Sequence, residues 1–319
     1  MSISLRCGAL LALMVCAGQV RAQPAIDHHM HVHSPAILAI LPAYCVSPMR
    51  KSPCDPRFTA PLTAEDALKA LNEAGIRQGW LMSTAYLAES PLADPLPDAA
   101  RVVRAANAFT VDLARTRPDR FAAFVSVNPT APEALTEIAH WKGDPAVTGL
   151  KLHLTNSDVD LRDPVQVAKL AAVFRAAAGN GWTIMLHMRT RASDYGARDV
   201  GIFLDQVLPA AGRQPVVIAH AAGWGGIDAV TLDALGAFAS AFDRNPAVVS
   251  NVRFDLAQVF TEQTVAGDRA KMAGLIRRIG VDRFVAGSDW PFAGDLKGYF
   301  AATASWPELR PSEWGAILR

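Results

Sequence analysis

Eight short apolar runs, each followed by a helical stretch, constrain this chain more than any other feature. The runs lie at 25–32, 79–84, 121–127, 149–154, 182–188, 216–220, 248–254 and 283–288. Helical patterns fall between them at 63–74, 98–116, 132–141, 164–179, 197–211, 232–242 and 264–279. The first of these opens on Thr63 as a cap with acidic residues in its first turn, then places Leu68 and Leu71 at helical spacing. In a chain of 319 residues this alternation predicts an α/β fold, a single-domain (β/α)8 TIM barrel over 23–319. A doubly wound open sheet would alternate in the same way. No Gly-rich fingerprint follows the first run, so the dinucleotide-binding form of that fold gains no support.

The first 22 residues read as a separate element. Arg6 supplies a basic start, 7–18 is apolar and rich in Leu and Ala, and Val20-Arg21-Ala22 resembles a cleavage site. The expectation is a secretory signal peptide removed after Ala22, with the protein periplasmic or secreted. The apolar run is shorter than the roughly 20 residues a bilayer span needs, so no membrane anchor is expected. A formal net charge of +1 gives no electrostatic reason to expect nucleic acid as a partner. A small-molecule substrate is the expected partner, with a homodimer possible.

Cys7 and Cys16 lie in the leader, which leaves Cys45 and Cys54 in the mature chain. Two cysteines close together in an exported loop favour a disulfide, two free thiols being the other reading. Both fall in 33–62, a long Pro-rich stretch that reads as structureless. In a barrel it would follow the first strand at the C-terminal face, as a lid-like loop.

The chemistry is concentrated at the ends of the runs. Asp27-His28-His29-Met30-His31-Val32-His33 holds four of the eight histidines. Strand side chains alternate, so Asp27, His29, His31 and His33 share one face, and Ile26, His28, Met30 and Val32 the other. The polar face would point into the barrel, where His29 and His31 could bind one metal. In Gly149-Leu150-Lys151-Leu152-His153-Leu154 the leucines share one face and Lys151 and His153 the other. A charged Lys on an interior strand is rare without a role, although pairing with a structural carboxylate would also account for it. His187, His220 and Asp289 each end a later run.

The His-x-His of the first strand, the histidines ending two later strands, and Gly287-Ser288-Asp289-Trp290-Pro291 resemble the amidohydrolase superfamily. The nearest likeness is to its amidohydrolase-related branch of metal-dependent hydrolases and decarboxylases. Arg117-Pro118-Asp119-Arg120-Phe121 and Gly149-Leu150-Lys151-Leu152-His153 also look like that branch. The resemblance covers nearly the whole mature chain.

That resemblance implies one divalent metal, expected to be zinc, held by His29, His31, His187 and Asp289. Three neutral imidazoles and a carboxylate suit zinc. Asp289 would act as general base on a metal-activated water. His220 would polarise or protonate the substrate oxygen, and Asp27 would orient a ligand histidine. Arg189 and His153 would bind substrate. Some superfamily members carry a carbamylated lysine between two metals; if Lys151 is so modified, His187 and His220 would hold the second ion. Otherwise Lys151 would bind a substrate carboxylate. The leading expectation is hydrolysis of an ester, lactone or amide in a small anionic molecule. The alternative is a decarboxylase or hydratase on the same scaffold, and a third reading is a non-catalytic metal-binding protein.

Overall fold

A computed structural model describes residues 23–50 and 53–319, so the expected signal peptide lies outside the described residues. Eight parallel strands follow one another in sheet order: β1 Ile26–Met30, β2 Gln78–Met82, β3 Phe121–Ser126, β4 Val147–His153, β5 Thr183–His187, β6 Val216–Ile218, β7 Val252–Asp255 and β8 Phe284–Val285. The ends of the sheet meet. His28 N–H donates to the Ala286 carbonyl at 3.1 Å, Asp289 N–H to that of His29 at 2.8 Å, and His31 N–H to that of Trp290 at 2.7 Å. The result is the expected TIM-type barrel. Helices α1 Pro35–Val46, α2 Pro56–Thr59, α3 Ala64–Ala74, α4 Ala99–Thr116, α5 Ala134–His140, α6 Pro164–Gly179, α7 Ala197–Ile202, α8 Ala229–Arg244, α9 Ala266–Ile279, α10 Leu296–Ala304 and α11 Pro311–Ile317 complete the chain.

The strand parity explains the layers. Leu150, Leu152, Ile184, Leu186, Val216, Ile218, Val252 and Phe254 pack outward into one continuous core with the helices. Met82, Phe124, Met185, Val217 and Ala219 fill the barrel's lower interior. Above that plug the inward positions turn polar, with Lys151, His187 and Asp255 all buried. A parallel strand buried on both sides needs this apolar content, and the polar layer at its C-terminal end is therefore confined to the active-site face.

The register slips in two strand pairs: β3–β4 shifts between Ala123 and Phe124, and the other slip, in β1, re-aims a side chain. The β1–β2 register shifts between Asp27 and Met30. His28, expected to face the helices, instead meets the Trp80 ring edge-on at 4.6 Å and lines a cavity at the barrel floor with Val217 and Arg253.

The stretch at 33–62 is not structureless. Ser34 caps α1 by accepting from Ile37 N–H at 3.1 Å, and Pro35 occupies the first turn, where its missing donor is harmless. Pro42 inside α1 suggested a loop, but Ile37, Leu41 and Tyr44 bury one side of the helix and hold it. These residues form a satellite core with Ala85, Leu87, Val102 and Val103, against which Cys45, Cys54 and Phe58 also pack. Cys45 and Cys54 are joined, with Cα atoms 5.4 Å apart. The helix expected at 197–211 changes winding twice, to a π segment over Phe203–Val207 and a 3-10 turn over Leu208–Ala211. Pro209 lacks the N–H that an α-helix would need there. Helices α10 and α11 had no counterpart in the sequence pattern.

Among the described residues, no helix is long and apolar enough to cross a membrane.

Candidate metal centre

At the C-terminal face, a cavity of about 300 Å³ descends to His29, His31, Lys151, His220 and Asp289. Local backbone hydrogen bonds place these groups. Asp27 Oδ1 accepts from the N–H of His29 at 3.1 Å and of Ser288 at 3.0 Å, tying the end of β1 to the loop that carries Asp289. Asp27 thus reaches the ligand histidine His29 through its backbone N–H and not through its ring. Burial pushes its carboxyl up to about 7.

Asp255 orients the ring. Its Oδ2 lies 2.9 Å from His29 Nδ1, while its Oδ1 accepts from His220 N–H and Ala257 N–H. The sequence places Asp255 near the pocket, as rim packing or a contact, and does not reveal its bond to His29. Its position at the end of β7, matching His187, His220 and Asp289 on their own strands, was the available signal.

Tautomers follow from these partners. His29 donates from Nδ1 to Asp255, and His31 from Nδ1 to the Met82 carbonyl at 3.1 Å. Both Nε2 lone pairs then face Asp289 Oδ1, at 3.5 and 3.2 Å. Two lone pairs and a carboxylate oxygen converging in a buried space favour a cation among them, and Lys151 Nζ, 3.0 Å from His29 Nε2, already brings positive charge to one side. Burial, then the nearby Lys151, holds His29 well below its usual range, which keeps it neutral. Burial pushes Asp289 upward, but the surrounding imidazoles, His29 foremost, outweigh it and hold the carboxyl below its usual range. Neutral imidazoles and an ionised carboxylate are the forms that bind a divalent metal, so these residues fit one. His29, His31 and Asp289 form one such group, and His29, His220 and Asp255 form another.

His187, expected as the fourth ligand, is not brought into either group. Asn156 N–H donates to His153 Nδ1 at 3.2 Å, and His153 Nε2 lies 3.0 Å from His187 Nδ1. His187 Nε2 lies 3.2 Å from the Gly223 carbonyl. Because Gly223 can only accept, the proton must sit on His187 Nε2, and Nδ1 takes the one from His153. This chain leaves His187 no free lone pair. It also occupies both ring nitrogens of His153.

His220 donates from Nδ1 to the Ala257 carbonyl at 2.7 Å, so its Nε2 is free beside His29. Lys151 Nζ lies 3.0 Å from His29 Nε2, and burial pushes it down to about 8. Arg189 does not reach this cavity. It pairs with Asp228 at 2.8 Å and lines a neighbouring hollow. Phe292 and Trp224, which the sequence places after late strands near the pocket, line the cavity, as do Arg50, Phe58 and Tyr86, for which the sequence carries no expectation. The Phe58 and Phe292 rings stack at 5.8 Å across its mouth.

The model of the amidohydrolase family matches residues 26–305. The chain belongs to the amidohydrolase family. None of the curated proteins matches it. Several solved structures share its fold. The 5-carboxyvanillate decarboxylase of Novosphingobium aromaticivorans, solved with manganese and 4-hydroxy-3-methoxy-5-nitrobenzoic acid, aligns at 14% identity over 94% of each chain, with a TM-score of 0.61. The 2,6-dihydroxybenzoate decarboxylase of Rhizobium aligns at 17% identity over 92% of this chain and 96% of its own, with a TM-score of 0.58. A probable 2-pyrone-4,6-dicarboxylic acid hydrolase of Acinetobacter baumannii, with citric acid bound, gives 17%, 92%, 95% and 0.55 for the same measures. This amidohydrolase is an enzyme by its family, and it shares its fold with two decarboxylases and a probable hydrolase.

Proposed function

We propose that this amidohydrolase is a metal-dependent decarboxylase of a small planar carboxylic acid. The observation that carries the reading is the inner cavity. It joins a His29/His31/Asp289 ligand group and the buried Lys151 at its base to the aromatic walls Phe58, Tyr86 and Phe292 above. Such walls accept a flat ring, and a lysine on the same floor pairs with its carboxylate. Two of the structural neighbours reported above are decarboxylases of aromatic acids, which supports this reading over the hydrolysis first expected.

His29, His31 and Asp289 would hold the divalent cation, zinc or manganese. His187 could join them only by giving up its bond to His153 or to the Gly223 carbonyl. When bound, the cation supplies Lewis-acid polarisation of a substrate oxygen. Lys151 and the cavity floor hold the departing carboxylate, and the rings exclude water around it. The carbon that loses CO2 must gain a proton. His220 is the group that can take that proton from solvent and pass it on, since its Nε2 is free, while Asp289 stays ionised.

Hydrolysis is the second reading, and one observation favours it. Lys151 Nζ sits beside His29, which belongs to both candidate ligand groups, so a carbamate on Lys151 would lie where it could bridge two ions. The disulfide fits the export expected from the N-terminus, and we propose a periplasmic or secreted location.

The test uses metal-loaded protein, aromatic carboxylates followed by CO2 release, and lactones and esters followed by acid release. Saturable CO2 release that disappears in Asp289→Asn supports the proposal. Acid release without CO2 favours the hydrolase. Neither activity, from protein with a full complement of metal, would overturn both.

A further inference from the structure

Beside the inner cavity lies a second, of about 380 Å³, lined by Arg50, Arg189, Arg191, Thr155, Thr190 and Trp224 among others. Arg50, Asn156 and Trp224 line both cavities, so the two are adjoining rooms with a shared wall.

The outer room carries three guanidinium groups and a single carboxylate, Asp228. Arg189 is held by Asp228 at 2.8 Å. Arg191 is held from below by Asp158 at 3.3 Å and by the Met49 carbonyl at 3.0 Å. Each is about three-quarters buried and fixed by one or two of its five donors, which leaves others free. Arg50 stacks over Tyr44 at 4.7 Å, and its buried Nε has no partner among the described residues. Three partly desolvated cations around one hollow repel one another and attract an anion.

A second observation points the same way. Trp224 is 49% exposed at the junction of the rooms, although its ring packs 4.9 Å from that of His187. A large aromatic surface left open between two polar cavities is what an apolar spacer would cover.

We propose that the outer room is a subsite for a second anionic group, so that the substrate is a two-ended acid with an apolar middle. One end lies over the metal-binding group, the middle crosses Trp224, and the far carboxylate rests among Arg50, Arg189 and Arg191. This deepens the decarboxylase reading and rests on it for the inner end only.

The experiment is isothermal titration of metal-loaded protein with symmetric diacids of increasing length (terephthalate, 1,4-phenylenediacetate and biphenyl-4,4′-dicarboxylate) and with the monoamide of each. Symmetry gives a diacid a statistical advantage of about twofold. The expected result is that at least one diacid binds more than about tenfold tighter than its monoamide, as a charge-assisted contact requires. Arg191→Gln should shrink that ratio to near the statistical value by weakening the diacid far more than the monoamide, whereas Arg191→Lys should restore part of it. Diacid and monoamide binding alike, both failing to bind, or Arg191→Gln weakening both equally would overturn the subsite. Monoamide affinity with and without metal reports the inner site separately, so failure of the outer room is distinguishable from failure of the decarboxylase reading.

Discussion

Asp255 grips His29 from behind: one carboxylate oxygen lies 2.9 Å from the ring's Nδ1, and the other accepts two backbone N–H groups, from His220 and Ala257. All of Asp255's contacts are with donors, which a carboxylate satisfies and an amide does not. Asp255→Asn should leave the far-ultraviolet circular dichroism unchanged and weaken metal binding about 10–100-fold, measured by competition with a chromophoric chelator. Unaltered affinity would show that His29 keeps its tautomer without help.

Lys151 separates the two metal stoichiometries. For a single ion, elemental analysis should find about one metal per chain, lost in His29→Ala and kept in Lys151→Ala. About two per chain, falling toward one in Lys151→Ala, would establish a bridged pair and move the chemistry toward hydrolysis.

Gly149 sets how closely β3 and β4 approach. A Cβ there would lie against the Phe124 ring and 2.5 Å from the Thr183 carbonyl. Because one of those neighbours is backbone, neither can simply move aside. Gly149→Ala should destabilise the fold by about 1–3 kcal/mol or more, read as a lower urea midpoint at unchanged slope. An unshifted midpoint would mean that the barrel interior yields more easily than its packing implies.

The parts of the fold legible in the sequence were those ruled by strand parity. Leu150 and Leu152 outward, with Lys151 and His153 inward, follow from alternation alone. Alternation misled at His28, where a register shift turns the side chain inward. It was silent on α1, where Pro42 argued for a loop and tertiary burial of Ile37, Leu41 and Tyr44 prevailed. Within the site, residue types located His29, His31, His220 and Asp289. They could not show that His187 spends its lone pair on His153, since hydrogen-bond direction depends on neighbours from other strands.

Glu313 ties the last helix to α9. Its carboxylate receives Arg277 at 2.8 and 2.9 Å and Arg310 at 2.8 Å, and these bonds, those of Arg277 first, hold it well below the usual carboxylate range. A depressed folded-state value adds stability above the unfolded value of about 4 and loses it as pH falls further. Glu313→Gln should therefore be less stable than wild type at pH 7, with the gap narrowing below about pH 4. Thermal melts across that range check it; a gap independent of pH would assign the role of Glu313 to packing alone.

The satellite core formed by Ile37, Leu41, Tyr44, Leu87 and Val103 is separate from the main barrel core. It underlies the segment that brings Arg50 and Phe58 to the cavity, and the Cys45–Cys54 bond joins the end of α1 to the residues just before α2. The roof of the active site is thus built as a module with its own foundation. Substitutions there can reshape which molecules enter while the strands that hold the histidines stay in place, so a lineage carrying this barrel can change diet without rebuilding its frame.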